Sequence, residues 1–259
     1  MSFIRRELRA IACAVQFLSR VPVATKTIFE VDDYANSLAW YPLVGALIGL
    51  IIYLSGAGLA GISSPSLIAA LVLIIWVLLS GALHLDGVAD CADAWVGGFG
   101  DRAKTLKILK DPASGPIAVV TLVLLLLLKW SALSIVIDSS YWSIIWVTPV
   151  LARSAMLLIF WRFDYVSSSG LGSPLAAGFS TRRIGFALLV VIVGVTSLLS
   201  VQSGLLLCLV GLTSFIIFVW KRSCYQRLGG FNGDCAGALI ELLELGYLLG
   251  LALLVGVNI

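Results

Sequence analysis

Residues Pro116–Ile137 read PIAVVTLVLLLLLKWSALSIVI, and this run decides the fold class. Lys129 is its only charged residue. A helix of about 20 apolar residues is long enough to cross the hydrocarbon core of a bilayer. The run therefore predicts a transmembrane helix.

The rest of the chain has the same character. Of its 259 residues, 60% are hydrophobic and 12% are charged, whereas about 25% of residues are charged in an ordinary soluble domain. Apolar runs of spanning length fall at residues 38–56, 66–83, 116–137, 141–161, 185–201, 204–220 and 235–256. We predict an all-α polytopic integral membrane protein with about seven transmembrane helices in a single membrane domain, residues 1–259. Only a short turn at 202–204 separates the fifth and sixth runs, so one bent hairpin over 185–220 is the alternative.

The N-terminal segment, residues 1–37, contains FIRRELRAIACAVQFLSRVPV (Phe3–Val23), in which arginines alternate with apolar residues. A cleaved signal peptide would have one uninterrupted apolar core instead. The pattern predicts an amphipathic helix lying on the membrane face. A soluble helix packed on the domain is the alternative.

The basic residues are distributed very unevenly among the loops. Segments 1–37, 84–115, 162–184 and 221–234 hold 15 of the 17 lysines and arginines. Cytoplasmic loops of membrane proteins are enriched in these residues. We therefore expect a cell inner-membrane protein whose N-terminus and polar motifs are cytoplasmic and whose C-terminus is outside. The intervening loops are too short to carry a site.

Two classes of function find no support in the composition. The net charge of +3 is small and dispersed, so nucleic acid is not an expected partner. The five cysteines form no CxxC pair, which argues against a disulfide framework or a zinc site.

The stretch HLDGVADCADAWVGG, His84–Gly98, lies in a predicted cytoplasmic acidic-motif loop over 84–115. Asp86, Asp90 and Asp93 stand at i, i+4 and i+7, which on a helix places them within an arc of about 60°. Like charges so placed repel one another, so the pattern favours a bound cation. Oxygen ligands with one histidine nearby indicate Mg²⁺, which is often completed by substrate phosphates. The three aspartates are our candidate metal ligands and catalytic residues, and His84 is a further catalytic candidate.

Purely structural roles are the alternatives for these residues. The aspartates would also suit the solvated face of an interfacial helix, and a histidine at a helix end is often only an interfacial residue. Downstream, Gly97 and Gly98 would allow a ligand to approach the backbone closely. Lys110 and Asp111 end a short basic segment that would suit a phosphate. We take these four as candidate substrate-binding residues, with a glycine turn and a solvated helix face as the alternative.

Six motifs in this order resemble the cobalamin synthase family, the adenosylcobinamide-GDP ribazoletransferases, from about Phe17 to Glu244. They are FLSRVPV, AWYPLVGALIG, HLDGVADCADAWVGG, ILKDPASGP, LARSAM and GGFNGDCAGALIELLE. The resemblance implies that adenosylcobinamide-GDP and α-ribazole or its 5'-phosphate are joined, with release of GMP and a requirement for Mg²⁺. The chain departs from the family pattern at Ala113 and Ala118, which puts a substrate contact at Ala113 in doubt.

The resemblance also marks Asp234 as a functional acid, although a helix N-cap is the alternative for this residue. Arg153 and Glu241 are further candidate substrate-binding residues. Both lie deep in their predicted spans, where unpaired charges are costly, so we expect them to interact, with Glu244 as the next partner for Arg153. We expect Lys129 to extend toward the outer surface.

Two other classes of membrane protein share features with this sequence. CDP-alcohol phosphotransferases have acidic DG motifs and use Mg²⁺, but the arginine and the second half of their motif have no counterpart here. A transporter would explain charges inside spans, but the sequence shows no inverted repeat. The expected partners are the two small-molecule substrates and the lipid bilayer. A homo-oligomer, or association with other cobalamin-assembly enzymes, is left open.

Overall fold

The computed structural model describes residues 3–23, 28–167, 172–176, 178–199 and 203–257. Within these ranges the chain is almost entirely helical, and its only β contact is an isolated bridge between Tyr165 and Phe231. The helices are α1 (Phe3–Leu18), α2 (Val31–Ser37), α3 (Tyr41–Leu59), α4 (Pro65–Ser80), α5 (Leu83–Gly97), α6 (Arg102–Ile108), α7 (Pro116–Val136), α8 (Val147–Arg162), α9 (Ser173–Ala176), α10 (Thr181–Leu198), α11 (Ser203–Leu228) and α12 (Gly233–Val257).

Five helical segments are long and apolar enough to cross a membrane. They are Val31–Leu59, Pro116–Val136, Thr181–Leu198, Gly204–Leu228 and Gly233–Gly256. Helices α4 and α5 add a sixth candidate if they form one broken span, because they are bent by 88° at a short break. The prediction of an all-α polytopic membrane protein is confirmed, but the count of seven spans is not.

Two segments differ from the predicted spans for local reasons. The predicted span 66–83 ends at Ser80, because Gly81 and Ala82 both adopt left-handed backbone conformations, a common way to end a helix. The predicted span 141–161 begins with a 3-10 turn at Ser140–Ile144, which leaves α8 only 16 residues. The region 185–220 forms two separate helices, α10 and α11, and residues 200–202 between them lie outside the described residues.

Helix α12 lies at the centre of the bundle, where it packs against α5, α7, α8 and α11. On the far side of α8, small residues bring α3 close. A Cβ added at Gly45 would stand 2.5 Å from the carbonyl oxygen of Pro149, and one at Gly49 would overlap the backbone of Trp146. Glycine contacts of this kind are typical of membrane helices that approach closely.

The four segments rich in lysine and arginine meet at one end of the bundle. Arg183 at the start of α10 donates hydrogen bonds to Glu7 of α1, and Trp95 of α5 donates to Ser223 of α11 at 2.8 Å. The 162–184 and 221–234 segments are joined by paired backbone hydrogen bonds, from Val166 to Phe231 and from Phe231 to Asp164. The predicted cytoplasmic segments therefore share one face of the protein.

Helix α1 has one face packed on the domain and one open. Ala10, Cys13, Ala14 and Leu18 are buried against the bundle, whereas Phe3, Ile4 and Leu8 are at least 61% exposed. The open apolar residues stand beside the exposed arginines at positions 5 and 6. This arrangement fits a helix at a membrane surface.

Four charged residues are buried together between α7, α8 and α12, and we call them the buried ion network. Lys129 donates to Glu241 at 2.6 Å and to Glu244 at 2.8 Å, and Arg153 pairs with Glu244. The expectation that Lys129 extends outward is wrong, because it is only 2% exposed. The partner that Arg153 bonds directly is Glu244 and not Glu241. Two carboxylates on one side of α12 are balanced by two cations, which avoids the cost of unpaired charge in this environment.

Candidate active site

The site begins with a close crossing of α5 and α12. A Cβ added at Gly87 of α5 would stand 2.6 Å from the carbonyl oxygen of Asp234, and one at Gly237 of α12 would stand 3.4 Å from the Cα of His84. Each helix thus presents a glycine where the other comes nearest. This crossing brings the acidic face of α5 beside Asp234.

A cavity of about 210 Å³ lies beside this crossing, between α5, α8, α12 and the segment after α8. His84, Asp86 and Asp234 supply its polar wall. Met156 and Phe160 of α8 supply an apolar wall opposite. The cavity is a concave, mostly apolar space with a few convergent polar groups, as expected of a small-molecule site.

Negative charge is concentrated where Asp86 and Asp234 line the cavity. The carboxylate of Asp90 lies in the electrostatic field of three others, those of Asp86, Asp234 and Asp93. Among the residues that the structure describes, none of these four acids forms an ion pair with a lysine, arginine or histidine. The cluster therefore has an excess of negative charge that a bound cation would offset.

The geometry limits how such a cation would be held. No group of three or more His, Cys, Asp or Glu side chains within the described ranges is close enough to hold a metal ion. Mg²⁺ usually takes only one or two protein carboxylates and completes its octahedron with water and substrate phosphate oxygens. Asp86 and Asp234 both face the cavity, so the donor set fits a magnesium ion that binds together with a phosphorylated substrate.

Asp93 is placed differently from the other two aspartates of α5. Its two oxygens accept hydrogen bonds from the backbone amides of Gly115, at 2.5 Å, and Ala118, at 2.9 Å. These amides belong to the N-terminal end of α7, where a carboxylate is favoured. Asp93 thus ties α5 to α7, and its role as a metal ligand stays a prediction.

His84 is buried in the cavity wall without a protein partner. It is 2% exposed, and neither ring nitrogen has a hydrogen-bond partner among the described residues. Leaving a buried polar group unpaired costs about 1–3 kcal/mol. A ligand or water in the cavity would remove this cost, so the arrangement favours a binding role for His84 over that of an interfacial residue.

Asp234 is not the N-cap of α12, which was the alternative to a functional role, because Asn232 caps the helix instead. Asn232 precedes α12, and its side-chain oxygen accepts from the backbone amide of Cys235 at 2.9 Å. Its side-chain amide donates to Asp234 at 2.8 Å and so orients that carboxylate toward the cavity. Sequence reasoning missed Asn232, although asparagine is a preferred N-cap and the motif GGFNGD places it there.

Tyr165 is a second cavity residue that the sequence did not single out. It lies in the segment after α8 and lines the cavity, and its ring packs edge-on against Phe231. Burial, followed by the nearby carboxylate of Asp234, raises the pKa of its hydroxyl. The hydroxyl is therefore a hydrogen-bond donor at neutral pH, suited to an anionic substrate.

The sequence of this chain is similar to that of a known family over most of its length. The model of the cobalamin-5-phosphate synthase family matches residues 10–252. The chain belongs to the cobalamin-5-phosphate synthase family. Curated relatives named adenosylcobinamide-GDP ribazoletransferase include one from Pseudomonas entomophila, 49% identical over 93% of this chain and 98% of its own length. Another, from Pseudomonas aeruginosa, is 45% identical over 96% of this chain and 100% of its own length. No solved structure matches the chain.

Membership of this family excludes the two other classes of membrane protein that the sequence had left open. The alternatives of a CDP-alcohol phosphotransferase and of a transporter give way to the cobalamin-5-phosphate synthase family. The resemblance noted over 17–244 extends over nearly the whole matched region, residues 10–252.

The four downstream candidates of this family member lie outside the cavity. A Cβ at Gly97 would meet Ile108, and one at Gly98 would overlap Thr105, so both glycines allow α6 to pack on the end of α5. Lys110 and Asp111 are exposed just after α6 and do not line the cavity. Their contact with substrate stays a prediction.

Arg153 and Glu241 are also set apart from the cavity. Glu241 lies four residues beyond Gly237, about one helical turn further along α12. Both residues are at most 3% exposed and belong to the buried ion network. They support the helices that carry the cavity, and their contact with substrate stays a prediction.

Proposed function

We propose that this protein is an adenosylcobinamide-GDP ribazoletransferase, which joins adenosylcobinamide-GDP to α-ribazole or α-ribazole 5'-phosphate and releases GMP. Family membership and the names of its relatives support this activity. The observation that carries it is the cavity in which His84, Asp86 and Asp234 face one space beside Asp90. Such a site suits the displacement of a nucleoside monophosphate from a pyrophosphate.

In the reaction these residues would accept a proton from the attacking hydroxyl, donate a hydrogen bond to phosphate and limit access of water. A ribose hydroxyl attacks the phosphorus next to the cobinamide arm, so that a new P–O bond forms, the P–O bond to GMP breaks and the hydroxyl loses its proton. We assign His84 as the group that accepts this proton, because its ring nitrogens are buried at the cavity without protein partners. The hydroxyl of Tyr165 donates to a phosphate oxygen, and the apolar wall of α8 limits access of water.

We further propose that Asp86 and Asp234, which both face the cavity, would hold Mg²⁺ together with the pyrophosphate, with Asp90 beside them. When bound, Mg²⁺ supplies neutralisation of the pyrophosphate and of the departing GMP. Asp90 lies within the field of the other two acids, so all three gain from the same cation. Asp93 would act by fixing the position of α5 through its bonds to α7.

The direct test uses purified protein in detergent with adenosylcobinamide-GDP, α-ribazole phosphate and Mg²⁺, and measures GMP. We expect Mg²⁺-dependent GMP release that Asp86→Asn and Asp234→Asn each reduce by at least about 100-fold, as expected for loss of a group that stabilises charge in the transition state. Asp138→Asn is the matched control, because this aspartate is exposed and lies outside the cavity. Absence of GMP release by the folded protein would refute the proposal.

We also propose that the N-terminus and the cavity face the cytoplasm from the inner membrane, with the C-terminus outside. The distribution of lysine and arginine supports this orientation, as does the meeting of the four basic segments at one end of the bundle. A reporter fused after Asn258 should behave as exported. Cytoplasmic behaviour would mean that an even number of spans is present.

A further inference from the structure

A second cavity, of about 230 Å³, has no part in the function proposed above. It lies between α1, α2 and the turn that joins α4 to α5. Three aromatic rings line it, those of Phe17, Phe29 and Tyr34. Among the described residues that line it, Arg20 is the only charged one. We call it the aromatic cavity, and the cavity with His84, Asp86 and Asp234 the acidic cavity.

The two cavities share a wall. Phe17 and Leu83 line both of them, and both side chains are half-buried. Each cavity alone is smaller than the roughly 300 Å³ at which small-molecule pockets begin. Rotation of these two side chains would join the cavities into one space with an aromatic end and an acidic end. A reaction between two substrates needs such adjoining sites.

Arg20 lines the aromatic cavity with an exposed side chain, and its backbone is anchored beside the cavity. Its backbone amide donates to the carbonyl of Leu79 at 2.7 Å. Its side chain passes so close to Gly81 that a Cβ there would overlap it. Within the described part of the chain no carboxylate forms an ion pair with this guanidinium. An exposed arginine that lines a cavity and has no counter-ion is suited to bind a phosphate through two parallel hydrogen bonds.

We propose that the aromatic cavity binds the acceptor substrate, an aromatic riboside with or without a 5'-phosphate. The base packs among Phe17, Phe29 and Tyr34, the 5'-phosphate binds Arg20, and the ribose passes the shared wall to present a hydroxyl to the acidic cavity. Stacking on aromatic rings favours a flat heterocycle. The donor does not fit here, because a corrinoid is far larger than this cavity and its pyrophosphate requires the acidic end. This inference rests on the proposed ribazoletransferase function.

The test compares two acceptors that differ only in the phosphate. We expect Arg20→Gln to raise the KM for α-ribazole 5'-phosphate by about 10- to 100-fold, the effect of losing a charged hydrogen bond. The KM for unphosphorylated α-ribazole and that for adenosylcobinamide-GDP should stay near the wild-type values. Arg20→Lys should restore part of the loss, since it keeps the charge. Arg182→Gln is the matched control, because Arg182 is exposed and lines neither cavity.

A second variant tests the aromatic end. Phe29→Leu should raise the KM for both acceptors and leave that for adenosylcobinamide-GDP unchanged, because Phe29 lines only the aromatic cavity. Equal effects of Arg20→Gln on the two acceptors would overturn the phosphate contact. If neither variant changed an acceptor KM while GMP release continued, the aromatic cavity would not be the acceptor site.

Failure of the proposed function is recognised separately. It would appear as a wild-type protein that releases no GMP. In that case equilibrium dialysis of labelled α-ribazole 5'-phosphate against wild type and Arg20→Gln still tests the cavity. Weaker binding to the variant would support the inference, and equal binding or none to either protein would overturn it. Size-exclusion chromatography and circular dichroism verify that each variant is folded.

Discussion

Gly87→Ala tests whether the close crossing of α5 and α12 builds the acidic cavity. The added Cβ would stand 2.6 Å from the carbonyl oxygen of Asp234, whereas ordinary van der Waals contact begins at 3.4 Å. The neighbouring atom is backbone and cannot rotate away, so the two helices must separate by about 0.8 Å, the difference between these distances. Asp86 and Asp90 would then move away from Asp234.

The expected effects on rate and on stability differ. A misplacement of about 1 Å can cost about 100-fold in rate, so we expect kcat for GMP release to fall by about 10- to 100-fold. Overpacking costs about 1–3 kcal/mol, but alanine favours a helix over glycine by about 1 kcal/mol. The free energy of unfolding should therefore fall by only about 0–2 kcal/mol, and the variant should still fold.

The assay measures GMP release and thermal unfolding of the same detergent-solubilised samples. Gly194→Ala in α10 is the matched control, because a Cβ added there meets nothing within 4 Å. We expect it to keep wild-type turnover. If Gly87→Ala also kept wild-type kcat, the close approach of α5 to α12 would not set the geometry of the site.

Three further predictions concern charge. Lys129→Met leaves two buried carboxylates facing one cation and should lower the free energy of unfolding by about 3–5 kcal/mol. Adding Glu241→Gln should recover part of this loss, and a Lys129→Met protein as stable as wild type would contradict the prediction. Asp93→Asn should lower the free energy of unfolding by about 1 kcal/mol, because it weakens the hydrogen bonds to α7, and it should reduce GMP release far less than Asp86→Asn. Loss of turnover in a folded Asp93→Asn protein would instead support the metal role predicted from the sequence. Removal of divalent metal with EDTA should abolish GMP release and Mg²⁺ should restore it; turnover that persists in EDTA would exclude a metal requirement.

What the sequence could predict followed from local patterns. The i, i+4, i+7 spacing of the aspartates assumed a helix over their stretch, and α5 is such a helix. Asp234 was found through the family motif. The pattern did not show that Asn232, and not Asp234, caps α12. Capping depends on which residue starts the helix, and helix boundaries are the least certain part of a pattern.

The interior of the bundle could not be predicted in the same way. The apolar run around Lys129 indicates a span, but nothing in it shows that two glutamates of α12 face this lysine. Likewise, the left-handed pair at Gly81 and Ala82 lies within a run that is apolar throughout, so hydropathy alone extended the helix past the bend. Both features depend on how distant segments pack, which a pattern within one segment does not contain.

The buried ion network has a consequence for how the chain is made. Lys129 and Arg153 lie in α7 and α8, whereas both of their partners lie in α12, the last helix of the described chain. During synthesis the two cations enter the bilayer before either of these two glutamates is available to neutralise them. Insertion of α12 is therefore the step that neutralises both cations, and chains interrupted before Gly233 would leave this charge unpaired within the membrane.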